Sequence, residues 1–333
     1  IGSPEDLWIK YSQHLEEIGD IENANRVYLE GTRKYFRTLN STSSIWSEWA
    51  EMHIRLKNFY SAKEILKLAC TQGLLSEKSI KKNTRYLLSI KLWNFYIDLE
   101  ETLGEVDSVC EVYDKMIQLK IANTTTIINY CEFLERNDDF GSACKIFEQA
   151  ISSFTWPQLY DLWLIYISKF MTHFPDKIER IRDLFEQVIS SAPTEKLKIF
   201  YFIYAQFEAE KGLMNNSIKI LNKCCSAVAK QEKTEVYSVM IVYTARFFGI
   251  TKTRSCFTKA FECLEYDQLT PLGLKFAGIE RKLGEIDRAR TVYVHLSQFC
   301  NPSLNEQIEM FWNVWEEFEL FHGNEETYKE MLR

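Results

Sequence analysis

The residue types that catalysis needs are present in this chain but are not gathered. Nine cysteines stand at positions 70, 110, 131, 144, 224, 225, 256, 263 and 300. They include no C-x-x-C pair and have no histidine at zinc-ligand spacing. Cys224 and Cys256 fall where the core side of a helix is expected, which reads them as reduced thiols acting as small buried hydrophobes. Adjacent Cys224 and Cys225 point to different sides of a helix and would make a poor disulfide. The five histidines, at 14, 53, 173, 295 and 322, are scattered. No G-x-x-x-x-G-K-[ST], G-x-G-x-x-G, H-E-x-x-H or G-x-S-x-G occurs. An all-helical prenyl-transfer enzyme would want clustered aspartates for magnesium, but Asp138-Asp139 is a lone pair at a position where other stretches carry a turn glycine. The expectation is a protein that is not an enzyme, with no catalytic residue, cofactor or metal.

Binding chemistry has more to work with. Lys78, Lys81, Lys82 and Arg85 form a small basic cluster, suited to RNA or an acidic partner if it is more than a solvated loop. Two aromatic pairs are not used by the core pattern described below. Tyr35-Phe36 and Trp156-Pro157 either anchor a partner peptide or cover the ends of neighbouring helices. Forty Lys plus Arg against forty-seven Asp plus Glu give a formal charge of -7 and a pI near 5.5. That balance argues against a phosphate-binding surface along the whole chain and leaves room for local RNA contact. No run of about 18 apolar residues could span a bilayer, so no membrane partner is expected; no small-molecule substrate is expected either.

The elements that must position these residues repeat. In LGLKFAGIERKLGEIDRARTVYVHL, Leu272 to Leu296, Phe276, Ile279 and Glu280 share one side of a first helix and Gly284 breaks it. Ala289, Val292, Tyr293 and Leu296 then form the apolar stripe of a second helix. The same offsets recur after Gly104, at Val109, Val112, Tyr113 and Met116. They recur after Gly19, at Ala24, Val27, Tyr28 and then Gly31, where a larger residue is expected. Eleven residues before Gly19, Gly104 and Gly323 stand Trp8, Trp93 and Trp312, each followed three residues later by Tyr11, Tyr96 or Trp315 on the same helical face.

Extended along the chain, the pattern predicts nine helical hairpins, over residues 5–37, 44–72, 90–120, 124–153, 158–191, 195–229, 234–264, 270–299 and 305–333. They are read as one array spanning 1–333. The fold class is therefore all-α, an α-α superhelix or solenoid. The Asn40 to Ser44 segment is expected to cap the second hairpin, and the stretch between Thr71 and Ser89 is an insertion. Trp8, Trp46, Trp93, Trp163, Tyr204, Tyr293, Trp312 and Trp315 are assigned to the scaffold. Rings of the first helix are expected to wedge against the second helix of their own hairpin and the first helix of the next. Arg333 falls inside a predicted helix, which suggests a piece of a longer protein.

Trp in the first helix, an aromatic three residues on and Glu a turn later resemble half-a-TPR (HAT) repeats rather than ordinary tetratricopeptide repeats. Longer strings are more specific: INYCEFLE (Ile128 to Glu135), FTWP (Phe154 to Pro157), DLFEQ (Asp183 to Gln187), YAQFE (Tyr204 to Glu208), LGEIDRAR (Leu283 to Arg290) and GNEETYKEMLR (Gly323 to Arg333). These resemble the C-terminal half of HAT-repeat pre-mRNA splicing factors of the Syf-one, or XPA-binding protein two, family. The resemblance implies a nuclear scaffold of the spliceosome within the nineteen complex. It implies contacts to other HAT-repeat proteins, such as the Crooked-neck type, and to snRNP components, with a link to transcription-coupled repair in animals. Two other readings stay open: a homodimeric HAT scaffold of the mRNA 3'-end cleavage machinery, and a solenoid that binds RNA directly.

Overall fold

Long aromatic-rich segments with glycine confined to a few positions form helices that need neighbours to cover them. The structure, a computed structural model, describes residues 4–34, 36, 39–72, 89–298 and 306–332. Among the described residues there are eighteen α-helices and no strand. They fall into two compact units, Ile1–Leu162 and Trp163–Arg333.

In the first unit α1 (Pro4–Ile18) pairs with α2 (Ile21–Arg33), α3 (Leu39–Arg55) with α4 (Phe59–Gln72), α5 (Ile90–Leu103) with α6 (Val106–Gln118), and α7 (Thr124–Arg136) with α8 (Phe140–Ser153). The division between the units falls inside α9 (Leu159–His173). In the second unit α10 (Ile178–Ser191) precedes the pair α11 (Leu197–Glu210) and α12 (Met214–Ala227). The pairs α13 (Lys233–Phe248) with α14 (Ile250–Cys263), α15 (Tyr266–Lys282) with α16 (Ile286–Ser297), and α17 (Glu306–His322) with α18 (Glu325–Leu332) follow.

Two helices begin earlier than the sequence pattern predicts. Asn40 to Ser44 do not cap the second hairpin; they form the first turn of α3. Ser41, Thr42 and Ser43 are buried there, and Ser43 Oγ donates to the Asn40 carbonyl at 2.9 Å. A short hydroxyl side chain that bonds to its own helix can be buried without leaving a polar group unsatisfied. Likewise α15 starts at Tyr266 and runs through Pro271. The missing N–H lies near the helix start, and buried Leu269 and Leu272 hold that turn against its neighbours.

Five hairpin turns share one geometry. Gly19, Lys57, Asp138, Gly212 and Gly284 all have positive φ, between 58° and 88°. In each, the next residue's N–H returns to a carbonyl five residues back, as in Asp139 N–H to Leu134 O at 3.0 Å and Glu285 N–H to Glu280 O at 3.0 Å. Asp138 thus occupies the glycine position of this turn, and Asp139 caps α8 by accepting from the Ser142 N–H at 3.1 Å. The Asp-Asp pair is accounted for as turn chemistry.

Gly104 has another reason to be glycine. Its φ of -92° is open to any residue. A Cβ there would overlap both the carboxylate and, at 2.7 Å, the backbone carbonyl of Glu100, and Gly323 stands in the same relation to Glu319. Gly31, the apparent gap in the first repeat, lies against the Trp8 ring, whose nearest atoms are 3.5 Å from where a Cβ would sit. At the corresponding pair in the eighth hairpin the sizes are reversed, with Gly273 under Leu296. Volume is conserved across the pair while the residues exchange.

Candidate interaction surface

Two rows of residues hold successive hairpins in register. The first is a ladder of stacked rings. The aromatic on the second helix of one hairpin lies parallel to the aromatic three residues beyond the Trp position on the next hairpin's first helix. Tyr28 stacks on Trp49, Tyr113 on Tyr130, Phe185 on Tyr204, Phe257 on Phe276 and Tyr293 on Trp315. Ring centroids are 4.2–6.2 Å apart and interplanar angles 7–17°. Parallel rings in contact add a favourable geometry to the area they bury. The expected wedge is therefore corrected in one respect: these rings pack on the preceding hairpin's second helix. Tyr11 holds the same register position on α1 and is 53% exposed.

The second row is ionic. Seven residues after the Trp position stand Glu100, Glu208, Glu280 and Glu319, all at most 3% exposed. Each meets a cation on the preceding hairpin's second helix, at the residue just after its first core site. Lys63 Nζ lies 2.9 Å from Glu100. Arg182 grips Glu208 with Nε and Nη2 at 2.6 and 3.0 Å, Arg254 grips Glu280 at 2.8 and 2.8 Å, and Arg290 grips Glu319 at 2.9 and 3.3 Å. The fork of a guanidinium matches a carboxylate with two parallel bonds, which fixes rotation as well as distance.

Where the pair is not ionic both members change. Between α2 and α3 the two positions hold Asn25 and His53, with the Asn25 Oδ1 also accepting from Trp49 Nε1 at 2.6 Å and lying 2.9 Å from His53 Nε2. Burial pushes the His53 pKa below the usual imidazole range. Between α6 and α7 the positions hold Cys110 and Leu134, and Leu134 is buried. The glutamates were legible in the sequence as part of the repeat. Their partners were missed, although a signal existed: Lys63, Arg182 and Arg290 each follow the first apolar site of a second helix, and Arg254 follows Thr253 at the same position, wherever the next hairpin carries Glu.

The scaffold aromatics are placed as follows. Trp46, Trp93, Trp163, Tyr204, Tyr293 and Trp315 are buried, while Trp8 and Trp312 are half-buried. Among the partner candidates, Tyr35, Lys78, Lys81, Lys82 and Arg85 lie outside the described residues. Phe36 is half-buried. Trp156 is half-buried beside exposed Pro157, and the bond between them is cis. Phe154, two residues before Trp156, lines a cavity of about 690 Å³ with Ile117, Lys120, Ile127, Ile146 and Ala150. A polar cleft of about 250 Å³ between α5 and α7 is lined by Asn94, Asp98, Glu101, Tyr113, Asn129 and Arg136.

Cys70, Cys131, Cys224, Cys225 and Cys256 are buried packing residues, Cys110 and Cys144 are half-buried and Cys263 is exposed. All eight among the described residues are free thiols. Burial pushes Cys70 and Cys224 up to about 12 and Cys225 up to about 11, which keeps them protonated and unreactive at neutral pH. No group of three or more His, Cys, Asp or Glu among the described residues is placed to hold a metal ion.

Helical hairpins with a Trp position, an aromatic three residues on and a buried Glu seven residues on, joined by stacked rings and ion pairs, define an all-α repeat protein of the HAT type. The chain belongs to the pre-mRNA-splicing factor Syf1/CRNKL1 C-terminal HAT-repeat family, whose model matches residues 1–333. It is 37% identical over 338 residues to the pre-mRNA-splicing factor syf1 homolog of Drosophila melanogaster. Identity is 36% to pre-mRNA-splicing factor SYF1 of Dictyostelium discoideum and 35% to that of Homo sapiens, each over 337 residues. All three matches cover 100% of this chain and 38% to 39% of the relative, so the chain spans about two-fifths of the length of those proteins.

Proposed function

We propose that this chain is a protein-protein interaction scaffold of the spliceosome, acting in the nucleus in pre-mRNA splicing and without catalysis of its own. One observation carries the reading: the buried glutamates Glu208, Glu280 and Glu319 are consumed in fixing one hairpin on the next, through bidentate Arg-Glu pairs at 2.6 to 3.3 Å. A chain built this way offers shape and outer surface to partners rather than a reactive centre. The family supports the splicing context. Within it the partners are other splicing proteins, HAT-repeat proteins of the nineteen complex among them, and a role in transcription-coupled repair would use the same surfaces. The nine hairpins act as a single array.

Trp156 and Pro157 are the proposed peptide anchor, since a half-buried indole beside an exposed proline offers apolar area at low ordering cost. Tyr35-Phe36 and the basic residues Lys78, Lys81, Lys82 and Arg85 are secondary contacts on the same reading. Crosslinking mass spectrometry of the native assembly tests it, with crosslinks from this chain to splicing proteins expected. Trp156→Ala is expected to weaken partner pull-down while leaving the melting temperature nearly unchanged. A large drop in melting temperature would assign Trp156 to the core, and crosslinks confined to proteins outside splicing would sink the proposal.

A further inference from the structure

One segment reverses the sign of the chain. Residues 214–263, covering α12 to α14, hold eight Lys and Arg against three glutamates, in a chain whose formal charge is -7. Two of those glutamates, Glu232 and Glu235, are held by Lys198 at 3.0 and 2.7 Å. Helix α12 contains no acidic residue and α14 only Glu262. Lys219, Lys223, Lys252 and Lys259 are exposed, and none forms an ion pair among the described residues.

Their register is regular. Lys223 precedes Cys224, the fourth buried site of α12, and Lys259 precedes its counterpart in α14, Ala260, so the two occupy the same position on successive second helices. Lys219 lies one turn before Lys223, and Lys252 two turns before Lys259, on the same outer faces. Beside them Asn215, Ser226, Thr251, Ser255 and Thr258 are exposed and uncharged, and Glu262, one turn after Lys259, is the one exposed acid of the two helices. No exposed aromatic or methionine accompanies them on these faces. Protein-protein interfaces are built around aromatic, Met and Arg anchors and are depleted in lysine. A lysine face free of such anchors suits a partner whose charge repeats along a backbone and whose recognition needs no apolar pocket.

We infer that the outer faces of α12 and α14 form a phosphate-contact surface for single-stranded RNA, with Lys219, Lys223, Lys252 and Lys259 as its contacts. It goes beyond protein scaffolding, because it gives the chain a second class of partner at a place separate from Trp156. Binding of a labelled oligouridine to the whole chain, followed by fluorescence anisotropy across a salt series, reads it. Four phosphate contacts predict that log K falls with log salt at a slope of about -2 to -3.

Reversing all four lysines to glutamate is expected to lower affinity at low salt at least about tenfold and to flatten the slope by about 0.7 per lysine engaged. The four Lys→Arg changes are expected to keep both, which separates charge from misfolding, and circular dichroism checks helix content. The inference is overturned by wild-type chain that does not bind at low salt, or by an unchanged slope in the Glu variant. Equal loss on reversing the exposed Lys10, Lys34, Lys91 and Lys145 instead would show bulk charge alone. Displacement of the RNA by a polyglutamate peptide of equal charge and concentration would assign the face to an acidic protein.

Discussion

A carboxylate buried between two helices is stable only while its cation is in place. Arg182→Met leaves Glu208 buried without a counter-charge, and the loss expected in urea denaturation is about 3 to 5 kcal/mol. Adding Glu208→Leu to that variant is expected to recover most of it, as the Cys110 and Leu134 positions do naturally. A double variant no more stable than Arg182→Met would refute the latch. His53 gives a second test, by pH. Its folded pKa is depressed by burial, so the unfolded chain binds the extra proton. The contribution of neutral His53 is complete above about pH 6.5 and is lost as pH falls below it. The stability difference between wild type and His53→Gln is expected to shrink from pH 7.5 toward pH 5.5. A difference independent of pH would mean that the ring is not held neutral.

At the scale of the element, glycine does two separate things in these turns, and substitutions tell them apart. Asp138→Gly places the residue best suited to positive φ in a turn already bonded for it. A gain of about 0.5 to 1 kcal/mol is expected in thermal or urea unfolding. Gly104→Ala is expected to cost about 1 to 3 kcal/mol although its φ suits alanine, because the new methyl meets the Glu100 carbonyl oxygen, which cannot move without breaking the last turn of α5. If Gly104→Ala proved neutral, the close approach of Glu100 would not be what selects glycine. Periodicity located both turns; the reason for each glycine needed the position of Glu100, a residue one turn away that sequence spacing does not orient.

At the scale of the molecule, repeats couple through nearest neighbours, so damage to one latch spreads only as far as the next interfaces. Arg182→Met is expected to speed amide exchange in α10, α11 and α12 while α1 to α4 keep wild-type protection, read by hydrogen-exchange mass spectrometry. Uniform loss of protection along the chain would mean that it unfolds as one cooperative block. The helix pairs were legible because each carries the same apolar offsets. The partner surfaces were much less so: the aromatic pairs left over by the pattern are what is not core, which does not say what is exposed together. The lysines of α12 and α14 were passed over because a net charge of -7 averages away a local reversal.

The sequence by itself determined the helices, most turn positions and the family, because periodic burial and positive-φ turns act over a few residues and leave their mark on every copy. Tertiary structure alone decided which second-helix cation closes on which glutamate, which ring stacks on which, and why Gly31 can stand where others carry bulk. Those choices are made between side chains 17 to 37 residues apart, from Tyr113 and Tyr130 to Lys63 and Glu100, whose meeting depends on how one hairpin lies on the next.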